Sequence, residues 1–179
     1  MDLSEVILRR RSVRKYNGEE VSDGALHKII EAGLLAPSSR NLHPVEFITV
    51  KDKSVLSQIA RAKTAGSSML KDTSCAVVVI GDAEKSDAWI EDCSIAMTYM
   101  MLRATERGVA NCWVQCRRRE TENGTSSEMY IRELLNIPDK YGVLAVLSLG
   151  MSDESPRPHT ISEADFSKVH EDLYKKGRL

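Results

Sequence analysis

Aromatic residues are scarce in this chain: its 179 residues include only two Phe, two Trp and five Tyr. A protein that grips single-stranded nucleic acid stacks bases on aromatic side chains set among its cations, and such interleaving is missing here. Nor is there an excess of one charge. The 25 Lys and Arg stand against 26 Asp and Glu, for a net charge of -1, which argues against a general polyanion binder. No apolar run approaches the roughly 20 residues needed to span a bilayer, and the first residues, Met-Asp-Leu-Ser-Glu, lack the basic and apolar regions of a signal peptide. No membrane association and a cytoplasmic location are therefore expected. The four cysteines, Cys75, Cys93, Cys112 and Cys116, show no Cys-x-x-Cys spacing and no neighbouring His. On one strand Cys112 and Cys116 would be about 13 Å apart, too far for a disulfide or a shared metal. All four are expected as reduced, mostly buried thiols, with no metal site. There is also no Gly-x-Gly-x-x-Gly, Walker-type, Gly-x-Ser-x-Gly or His-Glu-x-x-His sequence, and no internal repeat.

What is present is enough for one core, since 42% of residues are apolar, and a single domain over 1–179 is expected. The densest local feature is Arg9 to Tyr16, Arg-Arg-Arg-Ser-Val-Arg-Lys-Tyr. Ser4 can cap a short helix bearing Val6 and Ile7 that runs out near Arg11, leaving Arg10, Arg11, Ser12 and Arg14 on a helix end and turn. Guanidinium forks and a hydroxyl suit a phosphate monoester. From these residues alone three readings stay open: a small-molecule phosphate site, a nucleic-acid or localisation patch, and a solvated basic face.

Downstream, Ser22 or Asp23 caps a helix with Leu26, Ile29, Ile30, Gly33 and Leu34 on one face, which Pro37 stops. The loop Pro37-Ser-Ser-Arg-Asn41 follows, and loops of this composition often bind ligands. Val45 to Val50 reads as a strand, and Ser54 caps a short helix with Val55, Leu56, Ile59 and Ala60 inward. Cys75 to Ile80 is a continuous apolar run that predicts a central strand covered on both faces. From Ala88 to Arg107 apolar residues recur at helical spacing, with Gly108 placed to end the helix and Met97, Met100 and Met101 as core filler. Val109 to Cys116 predicts a strand, Arg117 to Arg119 a solvent-facing turn, and Thr125 with Glu128 a capping box for a helix that Pro138 ends. Val143 to Leu149 is the last strand. Beyond it, irregular residues from Met151 to Thr160 precede a predicted helix capped by Ser162 and Asp165 and carrying Phe166, Val169 and Leu173. Helices and strands mix without regular βαβ alternation, which favours an α+β domain.

Several of these stretches together resemble one family. Arg-Arg-Ser-Val-Arg-Lys-Tyr, then Ala-Pro-Ser-Ser-Arg-Asn-x-x-Pro, Trp89-x-x-Asp, Gly108-Val-Ala-Asn-Cys-Trp113, Ile137-Pro138 and Val169-His170 are similar in order and spacing to the nitroreductase family of FMN-dependent oxidoreductases. The resemblance implies a mainly antiparallel sheet flanked by helices, and a C-terminal extension over 151–179 that reaches onto the partner subunit of a homodimer. It implies FMN as cofactor, held by Arg10, Arg11, Ser12 and Arg14, by Pro37, Ser38, Ser39 and Asn41 of the partner, by Trp113, Val114 and Gln115 along the ring edge, and by Arg157 and His159 near the phosphate. His43 stands where many relatives have Gln, and Gln115 where many have an acid. Hydride would pass from NAD(P)H to the flavin and on to a small-molecule acceptor, nitroaromatic or quinone-like, in ping-pong order. No protein side chain is expected to be catalytic, because the chemistry is the cofactor's. Two other readings remain: a same-fold flavoprotein that modifies flavin, dehalogenates a substrate or only binds flavin, and a nucleic-acid-binding module, which would explain only the arginine runs.

Overall fold

The apolar run at Cys75 becomes the strand its composition predicts, β2 (Cys75–Asp82), buried along its whole length. The computed structural model describes residues 1–174; the last five residues of the expected C-terminal extension lie outside it. β2 sits inside an antiparallel sheet of order β1-β2-β4-β3, with β1 (Val45–Val50) at one edge, β4 (Tyr141–Gly150) next to β2, and β3 (Ala110–Gln115) at the other edge. Alternate residues of a strand point to opposite faces, and β2 shows the consequence. Ala76, Val78 and Ile80 pack with Leu56 and Ile59 of α3 (Lys53–Ile59) and Ile131 of α5 (Ser127–Leu135). Cys75, Val77 and Val79 pack with Ile29 of α2 (Asp23–Leu34) and with Met97 and Met100 of α4 (Trp89–Glu106). The result is an α+β domain of three layers. α1 (Leu3–Arg9) lies against α4.

α2 and α4 approach closely because of Gly33, where a Cβ would lie 2.8 Å from Met100 Cγ and 2.9 Å from Phe47 Cζ. The methionines of α4 are core filler as expected, and all four cysteines are free and buried. Burial pushes the Cys93 and Cys116 thiols up to about 12 and that of Cys75 to about 11. Such thiols are inert at neutral pH.

Four local expectations are corrected. α1 is capped by Asp2, whose Oδ1 accepts from the Glu5 amide at 2.8 Å, and ends at Arg9, with Arg10 already extended. α3 is capped by Asp52, not Ser54, because one carboxylate oxygen accepts from both the Ser54 and Val55 amides. At α5 the N-cap is Ser126, and Glu128 accepts from the Arg118 amide instead of closing a capping box with Thr125. Leu34 points outward and is exposed.

The largest difference is C-terminal. The predicted helix does not form; two single 3-10 turns, Ile161–Glu163 and Phe166–Lys168, stand in its place, with Phe166, Val169 and Leu173 between 70% and 75% exposed. A short helix is marginal unless an apolar face is buried, and these three residues find no surface to pack on among the described residues. His170, part of the Val-His pair, lies in this tail against the Tyr174 ring, with centroids 4.4 Å apart.

Candidate flavin site

The basic cluster is extended chain after Arg10, and it attaches to the sheet. Val13 is buried and its amide donates to the Asn111 carbonyl at 3.0 Å, Ser12 bridges Asn111 in parallel fashion, and Ser12 and Arg14 on either side of Val13 face outward. Tyr16 locks the segment from below. Its hydroxyl lies 2.6 Å from Ser148 Oγ and donates to the Val13 carbonyl at 3.1 Å, and its ring occupies the space a Cβ at Gly150 would fill, 2.5 Å from Tyr16 Cδ1.

The chain beyond β4 then returns along this segment. The Asn17 amide donates to the Met151 carbonyl at 3.0 Å, Lys15 pairs with Glu154 at 3.5 Å, the Arg11 guanidinium donates to the Arg157 carbonyl, and the His159 amide donates to the Leu8 carbonyl at 2.8 Å. Residues 8–17 and 151–159 thus run antiparallel, which brings Arg157 and His159 beside Arg10, Arg11, Ser12 and Arg14. Arg157 and His159 share one carboxylate, Glu163, whose pKa the hydrogen bond from His159 and then that from Arg157 bring down to about 2. Among the described residues Arg10, Arg11 and Arg14 make no ion pair. The guanidiniums of Arg10 and Arg14, that of Arg11, which spends one donor on a backbone carbonyl, and a hydroxyl, gathered by backbone bonds, fit a phosphate dianion.

β3 carries the other half. Its residues with even numbers bond to β4, as the Cys116 amide to the Leu144 carbonyl at 3.1 Å illustrates, while Asn111 bonds outward to Val13. A strand alternates the direction of its backbone polar groups, so the N–H and C=O of Trp113 and Gln115 face the open edge. Val114 is buried in the α3–α5 core and its backbone polar groups bond to β4, so it presents neither side chain nor hydrogen-bonding group to the open edge. Trp113 is half-buried against the α2–α4 layer; its Nε1 donates to Gln115 Oε1 at 2.8 Å, and Gln115 Nε2 donates to the Arg117 carbonyl at 3.1 Å. A flat heterocycle with both donor and acceptor atoms along one side fits such an edge.

Pro37, Ser38, Ser39 and Asn41 lie elsewhere. Ser39 to Asn41 form a 3-10 turn in which Arg40 and Asn41 have left-handed φ, as has His43. Ser38 Oγ accepts from the His43 amide at 2.9 Å, and His43 Nε2 lies 2.8 Å from Asn41 Oδ1. The anchor is Asp92, which sequence reasoning missed as a site residue although the Trp89-x-x-Asp motif displayed it. It is 2% exposed, and its Oδ1 accepts from the Ser39 amide at 2.7 Å. Left-handed non-glycine residues cost energy and persist where surroundings fix them.

This loop and the basic cluster occupy opposite corners of the sheet. Ser12 lies beyond β3 and the loop leads into β1, four strand spacings or roughly 19 Å apart across the sheet. Along the strands, Asn111 is level with Leu149 and Cys75, whereas Val45 is level with Gly81, a further roughly 20 Å. One compact ligand cannot touch both within one chain.

Comparison with known proteins agrees with this architecture. The nitroreductase family model matches residues 7–66 and 56–151. An FMN-dependent nitroreductase from Clostridium difficile R20291 has 42% identity and a TM-score of 0.92, over 96% of this chain and 99% of its own. A provisionally named NADH dehydrogenase/NAD(P)H nitroreductase from Parabacteroides distasonis superposes with a TM-score of 0.88 at 33% identity, over 96% of this chain and 98% of that one. A protein given the same provisional name in Archaeoglobus fulgidus is 37% identical over 82% of this chain and 83% of its own length. Matched from Ile7 to Met151 by the family model, the chain belongs to the nitroreductase family.

Proposed function

We propose that this protein is an FMN-dependent NAD(P)H oxidoreductase that works as a homodimer. The observation that carries the reading is the convergence of Arg10, Arg11, Ser12 and Arg14 with Arg157 and His159 next to the open edge of β3. The cations hold the flavin phosphate, and the outward backbone groups of Trp113 and Gln115 hydrogen-bond the ring edge. When bound, FMN supplies the two-electron chemistry, taking hydride from NAD(P)H and passing it to a small-molecule acceptor of nitroaromatic or quinone type. The chain's part is to orient the ring and leave one face open for donor and acceptor in turn.

The opposite-corner geometry supports a composite site, in which Pro37, Ser38, Ser39 and Asn41 of one subunit cover the flavin held by the other. Two further features support the dimer. Leu3 and Ile7 of α1, Leu34 and Leu35 at the end of α2, and Ile95 and Tyr99 of α4 are exposed apolar side chains that a partner subunit would cover. Phe166, Val169 and Leu173 of the tail are exposed as well, and docking on a partner would bury them.

The test is direct. Purified protein should be yellow, with a flavin spectrum and up to one FMN per chain, and initial rates with NAD(P)H and a quinone should give parallel double-reciprocal lines. A colourless protein that takes up no added FMN would remove the cofactor assignment, and intersecting lines would remove the single shared pocket.

A further inference from the structure

A second recess lies beyond the end of β3, between residues 60–71 and residues 121–130. Its volume is about 830 Å3, and Arg61, Lys63 and Lys71 line it together with the hydroxyls of Thr64 and Ser68. Only one carboxylate, Glu122, faces it, and none of the three cations makes an ion pair among the described residues. The walls are tied together rather than loose. The Thr64 amide donates to the Glu120 carbonyl at 3.1 Å, the Ser127 amide to the Arg119 carbonyl at 2.8 Å, Ser127 Oγ to the Ala62 carbonyl, and Ser67 Oγ to the Ala60 carbonyl at 2.7 Å. Thr121 closes its own loop, since its amide donates to the Thr125 carbonyl at 2.8 Å and its Oγ1 accepts from the Thr125 amide at 3.1 Å. With the Ser67 and Thr121 hydroxyls committed, those of Thr64 and Ser68 have no protein partner among the described residues.

A preformed, polar, net-positive cavity of this size suits a multiply charged, hydroxyl-bearing group, and it is larger than one phosphate needs. Its position relative to β3 narrows the choice. Cys116 directly follows Gln115 and is buried in one cluster with Ala60 and Ala62, and Thr64 is tied to Glu120 a few residues further on, so the recess lies next to the end of β3. Arg117, Arg118 and Arg119 link that strand end to the Glu120–Ser127 wall of the recess, also without ion pairs among the described residues. We propose that this cavity receives the phosphate-bearing part of the dinucleotide electron donor, with Arg61, Lys63 and Lys71 contacting its phosphates while the nicotinamide reaches back over the end of β3. The inference rests on the donor assignment under the proposed function, and it adds the residues that recognise that donor.

The test uses FMN-saturated dimer and inorganic pyrophosphate as the probe, titrated calorimetrically at low ionic strength into wild type and into a Lys63→Gln, Lys71→Gln double variant. Wild type should bind pyrophosphate without releasing flavin, and the variant should bind it at least tenfold more weakly, as expected for lost charge-assisted bonds. Pyrophosphate should compete with NADPH, and the variant should show a KM for NADPH raised about tenfold with kcat and FMN content unchanged. Lys63→Arg should retain most of the wild-type KM. Absence of binding heat in wild type, equal binding by the variant, flavin release, or inhibition that is not competitive would each overturn the assignment. A holoprotein that oxidises neither nicotinamide overturns the function itself and the donor assignment with it. Normal oxidation with an unresponsive KM overturns the subsite alone.

Discussion

Arg14 and Lys15 are sequence neighbours with different surroundings, and the difference decides which can hold a ligand. Lys15 pairs with Glu154 and is largely exposed, whereas Arg14 shares the outward face with Ser12 and has no carboxylate partner among the described residues. A charge-assisted bond to an anion is worth roughly 1.5–3 kcal/mol. Arg14→Ala should therefore weaken FMN at least tenfold in a fluorescence titration while Lys15→Ala changes it little; equal losses would mean that the cluster acts diffusely. Tyr16 supports the same segment through its neutral hydroxyl, and burial, partly opposed by the Ser148 hydrogen bond, raises its pKa to about 12. Its folded pKa lies above the ordinary value of 10, so its contribution is complete below pH 10 and is lost as pH rises through 12. The buried thiols of Cys75, Cys93 and Cys116 have the same sign, beginning near pH 9. Denaturation midpoints should decline from about pH 9 to about 12, and Tyr16→Phe should make that decline shallower above pH 10, leaving the part due to the thiols.

At the scale of elements, most of the fold was legible and the failures share a cause. The continuous apolar run at Cys75, the helical spacing from Trp89, and Gly108, whose φ is +71°, all do what their patterns imply. Caps were misjudged by two residues at α1 and α3, because Asp2 and Ser4, or Asp52 and Ser54, are both competent and only geometry separates them. The C-terminal helix was misjudged for a tertiary reason: its apolar spacing is helical, but spacing cannot supply the surface against which it would be buried. The site was legible motif by motif, and the antiparallel pairing of 8–17 with 151–159 was not, since nothing in either stretch identifies the other. Because Phe166, Val169 and Leu173 touch little of their own chain, changing all three to Ser should leave the subunit fold intact by circular dichroism. It should weaken the dimer about a thousandfold or more, given roughly 1.5–3 kcal/mol for each large apolar side chain buried. An unchanged sedimentation profile would show that the tail does not hold the partner.

For the whole molecule, the proposed composite site would link cofactor binding to assembly. Anything that binds only the dimer stabilises it by mass action. FMN should thus tighten association, and dilution should release FMN, as sedimentation of holo and apo protein across a wide concentration range would record; a stable monomer that keeps its FMN would place every ligand in one chain. The clasp between residues 8–17 and 151–159 has a further consequence, in time rather than in space. Residues 8–17 emerge from the ribosome well before the residues they pair with, 151–159. At about 5–20 residues per second that is a wait of roughly 7–27 s. Throughout it the arginines are available but Arg157 and His159 do not yet exist, so if those two residues help to hold the flavin, the cofactor can stabilise only a polypeptide synthesised at least as far as His159.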